Sequence, residues 1–188
     1  MSKTALVLVA SGSEEMEFVI ATDILSRAGI LVTTAGVPDG SLLQCGRGVR
    51  VKPDIGICEA KLKGPFDIIV LPGGLQGSLA FGGSTDVGEM LKEQEKCGGW
   101  IAAICAGPVA LAMHGIGIGK NVTCYPAMWS KMEERGSYNY TGKRVEIDGN
   151  LITSLGPSTS FEFALEIVEK LVGKEKAAEL SDILLLNY

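Results

Sequence analysis

A cysteine at the end of an apolar run offers the most direct chemistry in this chain. Cys105 lies in Ala103-Ile104-Cys105-Ala106-Gly107, a strand-like segment closed by small residues and followed by a helical pattern up to His114. Small-x-nucleophile-x-small is the pattern of a nucleophile elbow, where the backbone turns sharply and strain is expected. The first amides of the following helix would point at the sulfur, and the positive end of that helix would favour thiolate over thiol. A cysteine buried in the core fits the same pattern, and that is the usual fate of the residue. Glu17 is the second candidate. Ile20, Ala21, Ile24, Leu25 and Ala28 follow it at three, four, seven, eight and eleven residues, one apolar stripe of a helix. A carboxylate on that stripe faces inward, where desolvation raises its pKa and lets it hold a proton near neutral pH. The alternative, a first-turn acid complementing the helix dipole, suits Glu14 and Glu15 better than Glu17. The third candidate is Leu71-Pro72-Gly73-Gly74, directly after another apolar run. Two glycines there expose backbone amides that could cradle a carbonyl or an oxyanion, or simply make a tight turn. The segment lacks the Gly-Lys-Ser/Thr of a P-loop and the dinucleotide fingerprint.

These residues need a frame that brings strand ends together. Residues 5–10, 30–34, 66–71 and 100–104 are continuous apolar runs without two-residue alternation, as in strands covered on both faces. Helical patterns over 14–28, 85–96 and 158–172 alternate with them, the first and last stopped by glycine. Ser11-Gly12-Ser13-Glu14 offers a capping box to the first helix. Shorter strands are predicted at 42–45 and 49–52 as a small hairpin. Two more, at 144–147 and 151–154, are joined by the turn Asp148-Gly149-Asn150. Alternating strands and helices predict an α/β layered fold with a mainly parallel sheet. In such sheets ligands bind beyond the carboxyl ends of the strands, at a switch in strand order. Parallel strands would place all three candidates at one edge.

Composition narrows the options. The chain has 188 residues, 46% hydrophobic and 21% charged, which suits one globular domain over 1–188. The net charge of −5 and the lack of a basic tract argue against stable nucleic-acid or membrane binding. Five cysteines without a C-x-x-C pair fit a reducing compartment better than a disulfide framework, and no metal site is expected. With no signal peptide or long apolar span, a soluble cytoplasmic protein is expected. His114 is the only histidine. On a shared helix it would lie about 13 Å from Cys105, too far for a dyad, so it is assigned to the helix end. Cys45, Cys58, Cys97 and Cys124 are assigned structural or incidental roles, with Cys45 near a subunit interface. The stretch Lys174 to Lys176 is assigned to a solvated helix start. The apolar tail Ile183-Leu184-Leu185-Leu186 is expected to be buried against the body or a partner.

Several segments carry a resemblance to a known family. They are Glu14-Glu15-Met16-Glu17, Arg27-Ala28-Gly29-Ile30, Val70-Leu71-Pro72-Gly73-Gly74, Ile101-Ala102-Ala103-Ile104-Cys105-Ala106-Gly107-Pro108 and Phe161-Glu162-Phe163-Ala164-Leu165. Together they resemble the parkinsonism-associated deglycase family, the eukaryotic branch of the ThiJ/PfpI superfamily, over nearly the whole chain. The resemblance implies a flavodoxin-like three-layer sandwich with helices on both faces of the sheet, forming a homodimer without a cofactor. It implies Cys105 as the reactive, oxidation-sensitive residue and Glu17 as the carboxyl that hydrogen-bonds it and stabilises its sulfinic acid. The amides of Gly74 and Ala106, beside Gly73, would line the pocket, with Arg47 near the dimer interface. Activities implied are oxidative-stress protection, protein and nucleotide deglycation, glyoxalase turnover of methylglyoxal and glyoxal, and a redox-dependent chaperone role. A non-enzymatic redox-regulated chaperone or signalling protein is the alternative. Mitochondrial and nuclear pools are implied by the resemblance alone. Two positions depart from the family. Tyr125 stands where a histidine usually approaches the cysteine, and a phenol of pKa about 10 is a poorer base. Leu155 stands where an arginine is expected, leaving the pocket less basic. Ala106, rather than histidine, after the cysteine disfavours peptidase chemistry.

Overall fold

The structure is a computed structural model and describes residues 2–186. In chain order the elements are β1 (Thr4–Ala10), α1 (Glu15–Arg27), β2 (Leu31–Val37), β3 (Leu43–Gln44), β4 (Arg50–Val51), β5 (Ile55–Gly56), α2 (Ile57–Lys63) and β6 (Ile68–Leu71). They continue with α3 (Leu75–Gly83), α4 (Thr85–Lys96), β7 (Trp100–Ile104), α5 (Gly107–His114), β8 (Asn121–Val122), α6 (Trp129–Glu133) and β9 (Asn139–Tyr140). The last four are β10 (Val145–Asp148), β11 (Leu151–Ser154), α7 (Ser160–Leu171) and α8 (Lys174–Ile183). Seven strands form the central sheet in the order β10-β11-β7-β6-β1-β2-β5. All its pairings are parallel except β10 with β11. This is the expected α/β sandwich of flavodoxin-like type.

The apolar runs are continuous because successive side chains enter two different cores. Leu6, Leu8 and Ala10 of β1 pack with α2, α3, α4 and α5, whereas Ala5, Val7 and Val9 pack with α1, α7 and α8. The same split divides Ile69 and Leu71 from Ile68 and Val70 in β6, and Ile101 and Ala103 from Ala102 and Ile104 in β7. Phe81 on one side and Phe163 on the other are fully buried, each worth roughly 1.5–3 kcal/mol of transfer free energy. From β1 the chain steps to β2 on one side, while β6 and then β7 lie on the other. The strand order therefore switches between β1 and β6, and their following loops part to leave a crevice.

Local details depart from expectation in places. The capping box does not form. Ser13 Oγ instead accepts from the Ala10 amide at 3.0 Å, and Glu14, the N-cap of α1, has no side-chain capping bond. The predicted hairpin is present as β3 and β4 in antiparallel register, and α8 begins at Lys174 as expected. Within the single chain, Ile183 and Leu185 of the apolar tail face solvent, 58% and 85% exposed, while Leu184 packs on the α1–α7 side. Burial against the body therefore holds only in part. Among the described residues, no helix is long and apolar enough to cross a membrane.

Candidate functional site

The carboxyl ends of β1, β6 and β7 converge on Cys105. Its backbone has φ +63°, a left-handed conformation that costs a non-glycine residue about 1–3 kcal/mol, as expected of an elbow. The neighbouring strand and loop hold that turn. The Cys105 amide donates to Ser154 O at 2.9 Å, and its carbonyl accepts from the Tyr125 amide at 2.9 Å. Ala106 then caps α5, and across the crevice Gly74 caps α3. Two helix N-termini therefore face one sulfur, and the amides of Gly74 and Ala106 both hydrogen-bond it. Gly74 manages this at φ +81°, where an added Cβ would lie 2.2 Å from Gly12 O. Only glycine fits there.

Glu17 approaches from below, on the buried stripe of α1, and is 1% exposed. Its Oε2 accepts from the Gly73 amide at 2.6 Å. An added Cβ on Gly73 would lie 2.6 Å from Cys105 Cβ and 2.7 Å from Glu17 Oε2, so Gly73 is the spacer that lets acid and thiol meet. Burial pushes the Glu17 carboxyl up to about 7, against the pull of the Gly73 amide and the Cys105 thiol and with a small push from the Glu14 charge. Burial also pushes the Cys105 thiol up to about 12, with the charge and hydrogen bond of Glu17 adding to the rise. The Gly74 and Ala106 amides pull the other way. The expected preference for thiolate is thus reversed: helix ends are present, but desolvation and the neighbouring carboxylate outweigh them. The two groups titrate as a pair. With one proton between them, a thiolate can form only as the carboxyl takes the proton up. At neutral pH Glu17 is poised to do so.

The cavity above the sulfur has a volume of about 660 Å³, and Cys105, Ala106, Gly74, Arg47 and Tyr125 are among the residues lining it. Arg47 belongs to the hairpin loop, which Glu15 fixes by accepting the Arg47 amide at 2.8 Å. Its side chain is exposed at the cavity mouth. Tyr125 is 48% exposed and also stands at the mouth. Leu155 is half-buried. His114 ends α5 and its Nε2 lies 2.9 Å from Phe81 O, away from the sulfur as expected. Cys58 and Cys97 are exposed, but Asp86 and Glu93 respectively hydrogen-bond their thiols and push them up.

Residues not singled out for the site are also brought to it, Cys45, Gly156 and Glu14 among them. Cys45, assigned a structural role, is buried in the cavity wall. Gly156 faces the sulfur, its added Cβ 3.9 Å from Cys105 Sγ. Glu14, assigned to the helix dipole, is 8% exposed and also lines the cavity. A usable signal was present for Glu14: it follows directly on the loop after a buried strand, at the edge where ligands bind.

Comparison with known proteins identifies the family. The DJ-1/PfpI family matches residues 3–170. Protein dj-1beta of Drosophila melanogaster is 52% identical over 188 residues, covering all of both chains. Its crystal structure superposes with a TM-score of 0.96 at 51% identity, again over the full length of both. The Parkinson disease protein 7 homolog of Danio rerio is 50% identical over 98% of each chain. A Caenorhabditis elegans protein named glutathione-independent glyoxalase DJR-1.2 is 44% identical over 95% of this chain and 94% of its own. The chain belongs to the DJ-1/PfpI family.

Proposed function

We propose that this protein is a cysteine-dependent glyoxalase and deglycase acting on methylglyoxal, glyoxal and their adducts, whose reactive cysteine also senses oxidation. The observation that carries the reading is the pairing of Cys105 with a buried carboxyl that titrates at about 7, under two convergent backbone amides. The glyoxalase name of the nematode relative supports it.

For methylglyoxal the chemistry balances without a redox partner. Glu17 takes the thiol proton as the sulfur bonds to the aldehyde carbon, and the carbonyl electron pair moves to oxygen. The Gly74 and Ala106 amides hold that oxyanion until Glu17 returns the proton, giving a hemithioacetal. Glu17 then removes the C1 hydrogen to give an enediol and returns it to C2 while the C1 hydroxyl proton passes to the C2 oxygen, so the aldehyde carbon is oxidised and the ketone carbon reduced within one molecule. The product is a lactoyl thioester. Water adds to its carbonyl, the carbon–sulfur bond breaks, the thiol regains its proton and lactate leaves. Deglycation uses the same sulfur and acid, with the amine or thiol of the adduct as leaving group. Tyr125 makes this turnover slower than a histidine at the same place would.

The sensor role is supported by the same carboxyl. Two equivalents of peroxide convert the thiol to a sulfinate, with two waters and a proton released, and protonated Glu17 can donate a hydrogen bond to that product. Apolar Met16 and Val19 on the outer face of α1, with Leu42 and Val49 in the adjoining hairpin, are exposed in the single chain and favour a homodimer through this surface. The deciding experiment pairs methylglyoxal consumption with intact mass under graded peroxide. Turnover that falls in proportion as Cys105 gains two oxygens upholds both roles. If reduced protein consumes no methylglyoxal while Cys105 still oxidises, the enzyme reading fails and the sensor remains.

A further inference from the structure

We infer that Glu14 forms a subsite for a cationic or N–H-bearing group beside the reactive sulfur, so that the cavity selects carbonyl compounds carrying such a group over anionic ones. This deepens the proposed use of the cavity and rests on Cys105 as its reacting atom. Glu14 is 8% exposed, lines the cavity with Cys105, and its Oε1 is buried without a hydrogen-bond partner among the described residues. The fold leaves this carboxylate's Oε1 without a donor among those residues, so the charge of the group is not spent within the protein, and a ligand that brings a cation or an N–H to the carboxylate along the cavity wall is favoured.

The fold fixes this carboxylate independently of its own chemistry. The Glu14 amide donates to Gly73 O at 3.0 Å, tying the residue to the loop that carries the oxyanion amides. The neighbouring acid, Glu15, is already committed to the amides of Arg47 and Val49. Glu14 therefore offers the acceptor that the hairpin does not use. Its charge reaches two walls of the cavity, adding to the rise of both the Glu17 carboxyl and the Cys45 thiol. Among the described residues, the one cationic side chain lining the cavity is that of Arg47, which is exposed at the mouth. Leu155 adds no positive charge nearby. The interior thus presents negative charge and acceptors, which favour an ammonium, a guanidinium or an amide N–H attached beyond the reacting carbon, and repel a carboxylate there.

The test uses the full protein and two thiol reagents of equal reactivity class and opposite charge. These are 2-aminoethyl and 2-sulfonatoethyl methanethiosulfonate, with Cys58 and Cys97 replaced by serine and modification of Cys105 followed by peptide mass. At about pH 8.5 Glu17 is ionised in every variant, so only the Glu14 charge differs. The cation-to-anion rate ratio, divided by that of 2-mercaptoethanol, is expected to exceed about tenfold for wild type, as a desolvated charge contact of this kind gives. Glu14→Gln should cut the ratio at least fivefold, and Glu14→Asp should retain most of it. A general loosening of the site would change both rates together and leave the ratio alone. The subsite is overturned if wild type shows a ratio of one or less, a reading available even if Glu14→Gln does not fold. It is equally overturned if Glu14→Gln keeps the wild-type ratio. In either case continued methylglyoxal consumption leaves the proposed function standing. A Cys105 that reacts with neither reagent overturns both.

Discussion

Replacing Glu17 by glutamine should make the protein more stable in alkali even as it removes turnover. In the folded chain the carboxyl is buried and rises from an ordinary 4.5 to about 7. At ~1.36 kcal/mol per pH unit this corresponds to about 3 kcal/mol between the ends of that range. The sign follows from proton uptake. The folded state holds the proton more tightly than the unfolded chain, so this contribution is fully present below the unfolded value and is lost as pH rises to about 7. Urea unfolding of reduced wild type should therefore show about 3 kcal/mol less stability at about pH 8.5 than at about pH 4 from this group. Glu17→Gln keeps an acceptor for the Gly73 amide but has no proton to lose, so its stability should lack that component. Both proteins are compared at one protomer concentration, because association would shift the apparent stability. Equal losses in the two proteins across that pH range would refute the buried, poised carboxyl and with it the acid–base role built on it.

Three further outcomes are expected. Gly73→Ala must displace Cys105 Cβ, Glu17 Oε2 or the Ala106 amide; a loss of about 1–3 kcal/mol in denaturant unfolding, together with lost dicarbonyl turnover, is expected. Tyr125→His places a base of pKa about 6.5 at the mouth and should raise methylglyoxal turnover several-fold near neutral pH; an unchanged rate would mean that this position supplies no base. Cys105→Ser should neither consume methylglyoxal nor acquire two oxygens at this site under peroxide, read by activity and peptide mass; retained turnover would exclude the thioester route.

The parts of the site set by local pattern were legible, and those set by burial were not. Glu17 could be placed because the residues after it obey one helical stripe, and Cys105 because an elbow needs small neighbours on both sides. Their surroundings were harder. The helix α3 is built from LQGSLAFGG, where glycines hide the periodicity and only packing against α5 favours a helix. With α3 unseen, the Gly74 amide is readable as a cradle or as part of a tight turn, and not as a second helix end. The electrostatic balance at Cys105 is hidden from the sequence for a related reason. A helix N-terminus is visible in a sequence, but the desolvation that outweighs it belongs to the assembled core. Glu14 and Glu15 look alike in the chain, and only the fold gives one of them the hairpin amides and the other the cavity. β5, β8 and β9, each two residues long, are defined by pairing rather than by pattern.

The cradle of the sulfur is main chain, and this limits what side-chain mutagenesis can report. Gly74 and Ala106 contribute their N–H groups: at Ala106 every replacement other than proline retains it, and at Gly74 only glycine fits. A side-chain scan would therefore leave the Ala106 donor in place throughout, and a change at Gly74 would report displaced backbone rather than a lost N–H. Replacing an individual peptide bond by an ester, through semisynthesis, deletes one such N–H and leaves the side chain untouched. That substitution at Gly74, then at Ala106, would apportion the stabilisation between the two helix ends.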